Sequence, residues 1–152
     1  MPRSKREIPC RDYALSLLSR QVHASGQLQA KLLRKGYDPE EVKIVLKDLV
    51  DLGLINDQEY AQTYFENLKK YRNFGFYGIK KKLLDKKVEK RYIDLLLKGL
   101  AVKDELEIAN RLLQHAKNKS FEQKARMLQS RGFRSEVIQK ILRNSQEDLK
   151  QD

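Results

Sequence analysis

The segment at residues 61–68 (AQTYFENL) decides the fold, because its pattern of apolar residues returns twice along the chain. Its apolar positions have the spacing i, i+3, i+4, i+7 of one helix face: Ala61, Tyr64, Phe65 and Leu68. The matching positions, 47 residues earlier and 48 residues later, are Ala14, Leu17 and Leu18, and Ala109, Leu112 and Leu113. A repeat of several tens of residues indicates an array of similar helical units.

Two further sets of apolar residues repeat behind the first. The second set consists of Leu32-Leu33 with Gly36-Tyr37, Leu83-Leu84 with Lys87-Val88, and Leu128 with Gly132-Phe133. The third set consists of Val42, Val45 and Leu46, then Ile93, Leu96 and Leu97, then Ile138, Ile141 and Leu142. Three sets in each copy predict three helices in each repeat. We therefore expect an all-α, elongated and curved array of three tandem three-helix repeats, because stacked units contact mainly their neighbours.

The repeat boundaries follow from this pattern. The predicted helices cover residues 12–23, 27–35, 39–52, 57–71, 77–87, 90–100, 104–117, 121–131 and 135–145. Asn56 with Glu59, and Ser120 with Gln123, have the spacing of capping boxes at helix starts. The sequence thus divides into an N-terminal tail (1–11), repeat 1 (12–55), repeat 2 (56–102), repeat 3 (103–145) and a C-terminal tail (146–152).

Charge is the second strong feature of the sequence. The chain has 152 residues, of which 32 are Lys or Arg and 21 are Asp or Glu, so its net charge is +11. Division after residues 54 and 103 gives net charges of +3, +6 and +2, so the middle segment, which holds repeat 2, is the most basic of the three. Such an excess of positive charge predicts polyanions, or proteins that hold polyanions, as partners.

Basic residues cluster around the second helix of repeat 2. Lys81, Lys82 and Lys86 point away from the apolar arc of that helix and form an exposed face. Two interpretations remain open, an ordinary solvated helix face and a surface for a polyanion or protein partner. The candidate binding residues are Lys69, Lys70, Arg72, Lys80, Lys81, Lys82, Lys86, Lys87, Lys90 and Arg91.

Residues 71–78 (YRNFGFYG) concentrate aromatic side chains in the connection before that helix. Aromatic residues between basic ones can stack on nucleic-acid bases, as they do in proteins that bind single strands. They can equally form core between two repeats, which is the commoner fate of aromatic side chains. The sequence favours core without excluding stacking. Gly75 and Gly78 belong to no phosphate-binding loop, because the sequence contains neither glycine-rich motif of that kind.

The sequence offers no catalytic arrangement. Cys10 is the single cysteine and has too few basic neighbours for an activated thiolate. His23 and His115 lie near helix ends, where an imidazolium suits the negative end of the helix dipole. Asp104 and Glu105 lie at a helix start and are interpreted as complements to its positive end. We therefore expect no enzyme, no metal and no cofactor.

The same composition indicates where the chain resides. A single cysteine fits a reducing compartment, and no apolar run has the length of a membrane span. The basic start of the sequence lacks the apolar segment of a signal peptide. We expect a cytoplasmic protein with no membrane association.

Four stretches of the sequence follow a recognisable family pattern: residues 14–20 (ALSLLSR), 28–32 (LQAKL), 49–64 (LVDLGLINDQEYAQTY) and 78–83 (GIKKKL). Through them, residues 13–142 resemble the RecX regulators of the RecA recombinase. Two positions depart from the family pattern. Lys87 stands where the family usually has glycine, and residues 21–23 (QVH) are less basic than the arginine-rich run usual there. Arg20 is therefore the only contact residue that the resemblance transfers to repeat 1.

The resemblance implies a helical rod that lies along the groove of a RecA filament on single-stranded DNA. Such a protein limits filament extension or promotes disassembly, and so acts in DNA repair, homologous recombination and the SOS response. It implies a monomer without a cofactor, with single-stranded or double-stranded DNA as a further partner. The residues by themselves also allow a free-standing basic helical-repeat protein that binds nucleic acid without RecA.

Overall fold

Residues 8–151, the part of the chain that the computed structural model describes, form nine α-helices and no strand. Residues 1–7 of the predicted N-terminal tail and Asp152 of the predicted C-terminal tail lie outside the described residues. The helices are α1 (Cys10–Arg20), α2 (Ser25–Lys35), α3 (Pro39–Asp51), α4 (Asp57–Lys70), α5 (Phe76–Asp85), α6 (Lys90–Lys98), α7 (Val102–Gln114), α8 (Phe121–Ser130) and α9 (Ser135–Gln151). The predicted all-α fold of three-helix repeats is confirmed. Helix α9 continues beyond the predicted end at residue 145, because no Gly or Pro interrupts residues 146–151.

The predicted caps begin two of these helices. The side chain of Asn56 accepts a hydrogen bond from the Glu59 backbone N–H over 3.0 Å at the start of α4. At the start of α8, Ser120 and Gln123 exchange two such bonds, of 2.9 and 3.2 Å. Both caps satisfy backbone donors that have no partner inside the helix.

The middle helix of every repeat ends in the same way. Gly36, Lys87 and Gly132 follow α2, α5 and α8, and all three have left-handed backbones with φ of 105°, 63° and 77°. In each case the next residue donates its N–H to a carbonyl in the last turn of the helix: Tyr37 to Leu32, Val88 to Leu83 and Phe133 to Leu128. Lys87 therefore keeps the helix stop that glycine provides in the other two repeats, in a conformation that is costly for a residue with a Cβ.

The buried apolar residues form two separate clusters. Repeat 1 has its own cluster, made of Cys10, Ala14, Leu28, Leu32, Tyr37, Val42, Val45, Leu49 and Ile55. Repeats 2 and 3 share the other cluster, which runs from Ala61 to Leu142 and receives only Ala24 from repeat 1. Repeats 2 and 3 thus form one packed unit, and repeat 1 is a second unit beside it.

Polar contacts join repeat 1 to repeat 2. The Asp57 carboxylate, at the first residue of α4, accepts hydrogen bonds from the Ser25 backbone N–H over 2.6 Å and from the Ser25 hydroxyl. Because α2 has no side-chain cap of its own, Asp57 supplies one from the neighbouring repeat. A longer contact of 3.5 Å joins the Tyr60 hydroxyl to the Gln27 side chain. These bonds fix the starts of α2 and α4 against each other.

Repeats 2 and 3 meet through close backbone contacts. The Gly75 N–H donates to the Arg131 carbonyl over 3.0 Å, and the Tyr77 N–H donates to the Gly132 carbonyl over 2.7 Å. A Cβ atom at Gly78 would lie 2.1 Å from the Arg131 carbonyl oxygen. The start of α5 therefore packs directly on the turn between α8 and α9, and glycine is required at residue 78 for this approach.

Glu105 corrects one prediction. We expected it to complement the dipole of its own helix, but its side chain is fully buried and reaches a different helix. Its carboxylate accepts from the Phe76 N–H, at the first residue of α5, over 3.2 Å and from the Arg134 N–H over 2.7 Å. Glu105 thus places its charge at the positive end of α5. The prediction was wrong because local spacing does not reveal these partners: Phe76 lies 29 residues before Glu105, and Arg134 lies 29 residues after it.

The aromatic residues of the connection at 71–78 divide between core and surface. Phe74 and Phe76 pack against the cluster shared by repeats 2 and 3. Tyr71 and Tyr77 are exposed, by 77% and 56%. The prediction that these aromatic side chains belong to the core is therefore confirmed for Phe74 and Phe76 and is wrong for Tyr71 and Tyr77.

Candidate polyanion-binding cleft

A basic cleft of about 450 Å³ lies between α2 of repeat 1 and the region around α5 of repeat 2. Six cationic side chains line this cleft: Lys31, Arg34, Arg72, Lys82, Lys86 and Lys87. The other residues of its lining are Gln27, Ala30, Tyr64 and Asp85. Positive charge therefore comes from both repeats, with a single carboxylate among the lining residues.

Helix periodicity explains why these cations share one cleft. In α2 the buried positions are Leu28 and Leu32, so Lys31 lies beside the core stripe, and Arg34, three residues further along, is its neighbour on the side away from the core. In α5 the buried positions are Ile79 and Leu83, and Lys82 takes the equivalent place. Lys31 and Lys82 occupy equivalent positions in neighbouring repeats, and the packing of the two repeats brings both side chains to the same cleft.

The ring of Phe74 organises the repeat 2 wall of the cleft. Three cations lie over it, with the Arg72 guanidinium, the Lys82 ammonium and the Arg131 guanidinium at 5.2, 5.3 and 5.0 Å from the ring centroid. An aromatic face attracts cations through its quadrupole, so Phe74 holds several like charges close together. Two of these cations, Arg72 and Lys82, line the cleft.

His23 lies beneath the repeat 1 wall and is only 2% exposed. Its Nδ1 lies 2.7 Å from the Gln21 carbonyl oxygen and its Nε2 lies 2.7 Å from Lys31 Nζ. A neutral ring that donates from Nδ1 and accepts at Nε2 satisfies both contacts. Burial lowers the pKa of His23 below 6.5; the Gln21 carbonyl opposes this effect, and the charges of Lys31 and Lys86 add to it. The predicted charged cap is therefore wrong, and His23 positions Lys31 instead.

His115, the other histidine, lies at the end of α7 as the sequence predicted, and its side chain is exposed.

Only some of the candidate binding residues meet in the cleft. Arg72, Lys82, Lys86 and Lys87 line it. Lys69 and Lys70 instead pair with Glu66 over 3.2 and 3.4 Å, and Arg91 pairs with Glu89 over 3.0 Å. The remaining candidates, which do not line the cleft, are Arg20, Lys80, Lys81 and Lys90.

Lys31 and Arg34 are the cleft residues that the sequence analysis missed. Alignment of the repeats could have found Lys31, because Leu32 matches Leu83 and Lys31 therefore matches Lys82. No such signal existed for Arg34, whose equivalent in repeat 2 is the acidic Asp85. A surface formed by two repeats divides its charge between them, so the charge of one repeat alone does not reveal all of its residues.

The arrangement suits binding more than chemistry. Closely spaced lysines and arginines in a concave site neutralise successive phosphates and release their counterions. In the described ranges no group of three or more His, Cys, Asp or Glu side chains is placed to hold a metal ion. No helix among residues 8–151 is both long enough and apolar enough to span a bilayer.

Similarity to known proteins extends over almost the whole chain. The chain is 31% identical over 147 residues to a protein of Vibrio cholerae serotype O1 named Regulatory protein RecX, and the match covers 91% of the chain and 95% of that relative. The chain belongs to the RecX family. A RecX relative from Trichlorobacter lovleyi is 28% identical over 151 residues, which cover 93% of the chain and 98% of the relative.

Two further comparisons agree with this membership of the RecX family. A family model described as the first three-helix domain of RecX matches residues 10–49, which begin two residues before the predicted start of repeat 1 and otherwise lie within it. The crystal structure of RecX from Lactobacillus salivarius has the same fold, with a TM-score of 0.74, 23% identity and coverage of 89% of this chain and 93% of that one. This RecX family member therefore has a regulatory role, as the names of its relatives state.

Proposed function

We propose that this RecX family member binds RecA filaments on single-stranded DNA and inhibits RecA, by limiting filament extension or promoting disassembly. The basic cleft is the observation that carries the proposal, because its cations come from two repeats and face a common space. A filament of protein on single-stranded DNA presents phosphates beside protein surface, which suits a cleft of this kind. The protein acts in the cytoplasm as a monomer, in DNA repair, homologous recombination and the SOS response.

Regulation of this type requires binding and no catalysis. A ligand shifts an equilibrium between two states when it binds one of them more tightly. A helical array that bridges neighbouring filament subunits, with its cleft on the DNA backbone, can therefore disfavour extension without a cofactor. The other basic candidates, from Arg20 to Arg91, remain available for protein contacts along the same array.

A cleft variant tests the assignment of the surface. It replaces four cleft cations by glutamine: Lys31→Gln, Arg34→Gln, Lys82→Gln and Lys86→Gln. We expect the concentration for half-inhibition of RecA ATPase on single-stranded DNA to rise at least about tenfold, because several phosphate contacts are lost together. Far-UV circular dichroism checks that the variant keeps its helices.

A matched control variant removes the same charge elsewhere. It carries four substitutions at exposed lysines outside the cleft: Lys43→Gln, Lys98→Gln, Lys103→Gln and Lys117→Gln. We expect inhibition close to that of the unchanged protein. Equal inhibition by the cleft and control variants would show that the cleft is not the regulatory surface.

The cleft also supports a second candidate, a free-standing nucleic-acid-binding protein. The two functions differ in their response to preformed filaments. A RecA regulator collapses filaments at substoichiometric concentration and leaves most naked single-stranded DNA unbound. A free-standing binder retains naked DNA tightly, with an affinity that falls linearly with salt on logarithmic axes.

A further inference from the structure

A second cavity adjoins the basic cleft and has a different character. This cavity, here called the aromatic groove, has a volume of about 590 Å³ and is the larger of the two. Tyr64 and Lys86 line both spaces, so the groove and the cleft meet at these two residues. Besides them, the groove is lined chiefly by Val22, Leu54, Tyr60 and Asn67.

The groove exposes apolar and aromatic surface to solvent. Val22 and Leu54, both from repeat 1, are 69% and 52% exposed. They stand opposite Tyr60 and Tyr64 of α4, whose rings are stacked with centroids 6.0 Å apart and planes 30° from parallel. Exposed apolar residues around a concave site mark a place for a ligand with an apolar body. The two stacked tyrosine rings suit a ligand with a flat body.

We propose that the aromatic groove binds a base of single-stranded nucleic acid whose adjoining phosphates lie in the basic cleft. The inference rests on the proposed function only in taking the cleft as a phosphate site. A nucleotide combines an anionic group with a flat, weakly polar ring, and the two adjoining cavities match these two parts. Stacking on tyrosine is tolerant of base identity, because every base has a π face.

Polar groups on the groove wall fit the edge of a base. Asn67 and Thr63 project from α4 beside the tyrosines, and Gln21 lies on the repeat 1 side. Amide and hydroxyl groups can donate to or accept from the hydrogen-bonding edge of an unpaired base. In a duplex that edge is paired and the face is stacked, so the groove selects single strands.

An acidic peptide with one aromatic side chain is the competing occupant. Its carboxylates would pair with the cations of the cleft, and its aromatic side chain would fill the groove. It would form fewer hydrogen bonds with Asn67, Thr63 and Gln21 than a base does. The stacked tyrosine pair favours a flat heterocycle over a single side chain. The experiment therefore also measures the affinity of the protein for such a peptide.

The test compares two oligomers of equal charge in the absence of RecA. The first is a short fluorescent oligothymidylate, and the second is an abasic oligomer with the same number of phosphates. We expect the full chain to bind the oligothymidylate about tenfold more tightly, because each stacked base contributes measurably to affinity. Tyr64→Leu should remove most of this difference and leave the salt dependence of binding unchanged. Tyr71→Leu, at an exposed tyrosine outside both cavities, should retain it.

A second variant covers the case in which Tyr64→Leu disturbs the core. Thr63→Leu places a bulky side chain without an aromatic face at an exposed position on the groove wall, and it should reduce the preference for bases while abasic binding persists. Equal binding of the two oligomers by the unchanged protein would overturn the proposal. Tighter binding of an acidic aromatic peptide than of oligothymidylate would also overturn it. Because RecA is absent, a failure of filament regulation leaves this result unaffected.

Discussion

Arg134 donates from Nε to the fully buried Glu105 over 2.5 Å, and this ion pair within repeat 3 contacts repeat 2 through each of its two side chains. The guanidinium also donates to the Leu100 carbonyl over 3.0 Å and lies 4.6 Å from the centroid of the Phe76 ring. Glu105 accepts in turn from the backbone of α5. One carboxylate and one guanidinium therefore connect the start of α5, the end of repeat 2 and the turn before α9.

Replacement of Glu105 tests how much this ion pair stabilises the protein. Glu105→Gln keeps the shape of the side chain but leaves Arg134 without its counter-charge, which we expect to lower the free energy of unfolding by about 2 kcal/mol. Urea denaturation followed by circular dichroism measures the effect. Glu107→Gln, two residues along the same helix and exposed, should change stability by less than about 0.5 kcal/mol. Similar losses in the two variants would contradict a special role for Glu105.

The glycine contact between repeats 2 and 3 gives a second prediction. Gly78→Ala introduces a Cβ at 2.1 Å from the Arg131 carbonyl oxygen, so the two repeats must move apart. We expect a loss of roughly 2 kcal/mol, as in an overpacked core. Gly99→Ala is the matched control, because its Cβ would find Leu96 O at 3.5 Å and its φ is −80°. A thermal unfolding midpoint that drops equally in both variants would rule out the steric explanation.

The left-handed backbone of Lys87 predicts a stabilising substitution. Lys87→Gly removes the strain of a Cβ at φ 63°, and the gain exceeds the added freedom of the unfolded chain. We expect an increase of roughly 0.5–1 kcal/mol in the free energy of unfolding. Lys81→Gly, inside α5, should instead cost about 1 kcal/mol. The prediction fails if chemical denaturation shows that both glycines destabilise the protein.

Burial of His23 predicts a dependence of stability on pH. The folded protein lowers the pKa of this histidine, so the unfolded chain binds its proton more readily. The stability contributed by neutral His23 is present above the ordinary pKa of 6.5 and is lost as pH falls below it. His23→Gln should flatten the change in urea midpoint between pH 7.5 and pH 5. His115→Gln alters an exposed histidine and should preserve that change. Matching pH profiles for His23→Gln and the unchanged protein would exclude His23 as its source.

The helices could be predicted because their information is local. Val42 repeats as Ile93, Val45 repeats as Ile141, and all four are buried, since amphipathic spacing directly encodes the face that packs. The caps at Asn56 and Ser120 were likewise visible within four residues, although only Ser120 and Gln123 form the full capping box.

The site was only partly predictable, because it depends on contacts between repeats. Lys82 and Lys86 stood out within the most basic segment, but nothing near Arg34 in the sequence placed it opposite them. His23 and Glu105 were assigned to local helix dipoles, although their burial depends on residues from other elements. Contacts between residues far apart in the sequence depend on tertiary packing, and the local spacing of residues does not predict them.

The two separate cores predict that the chain can bend between them. Repeat 1 is one segment with its own core, repeats 2 and 3 are another, and the basic cleft lies at the joint between them. Like charges on the two walls push the segments apart, and a polyanion between them reverses that force. We therefore expect the free protein to bend at this joint and the bound protein to become rigid, so that the nucleic acid itself sets the angle of the rod.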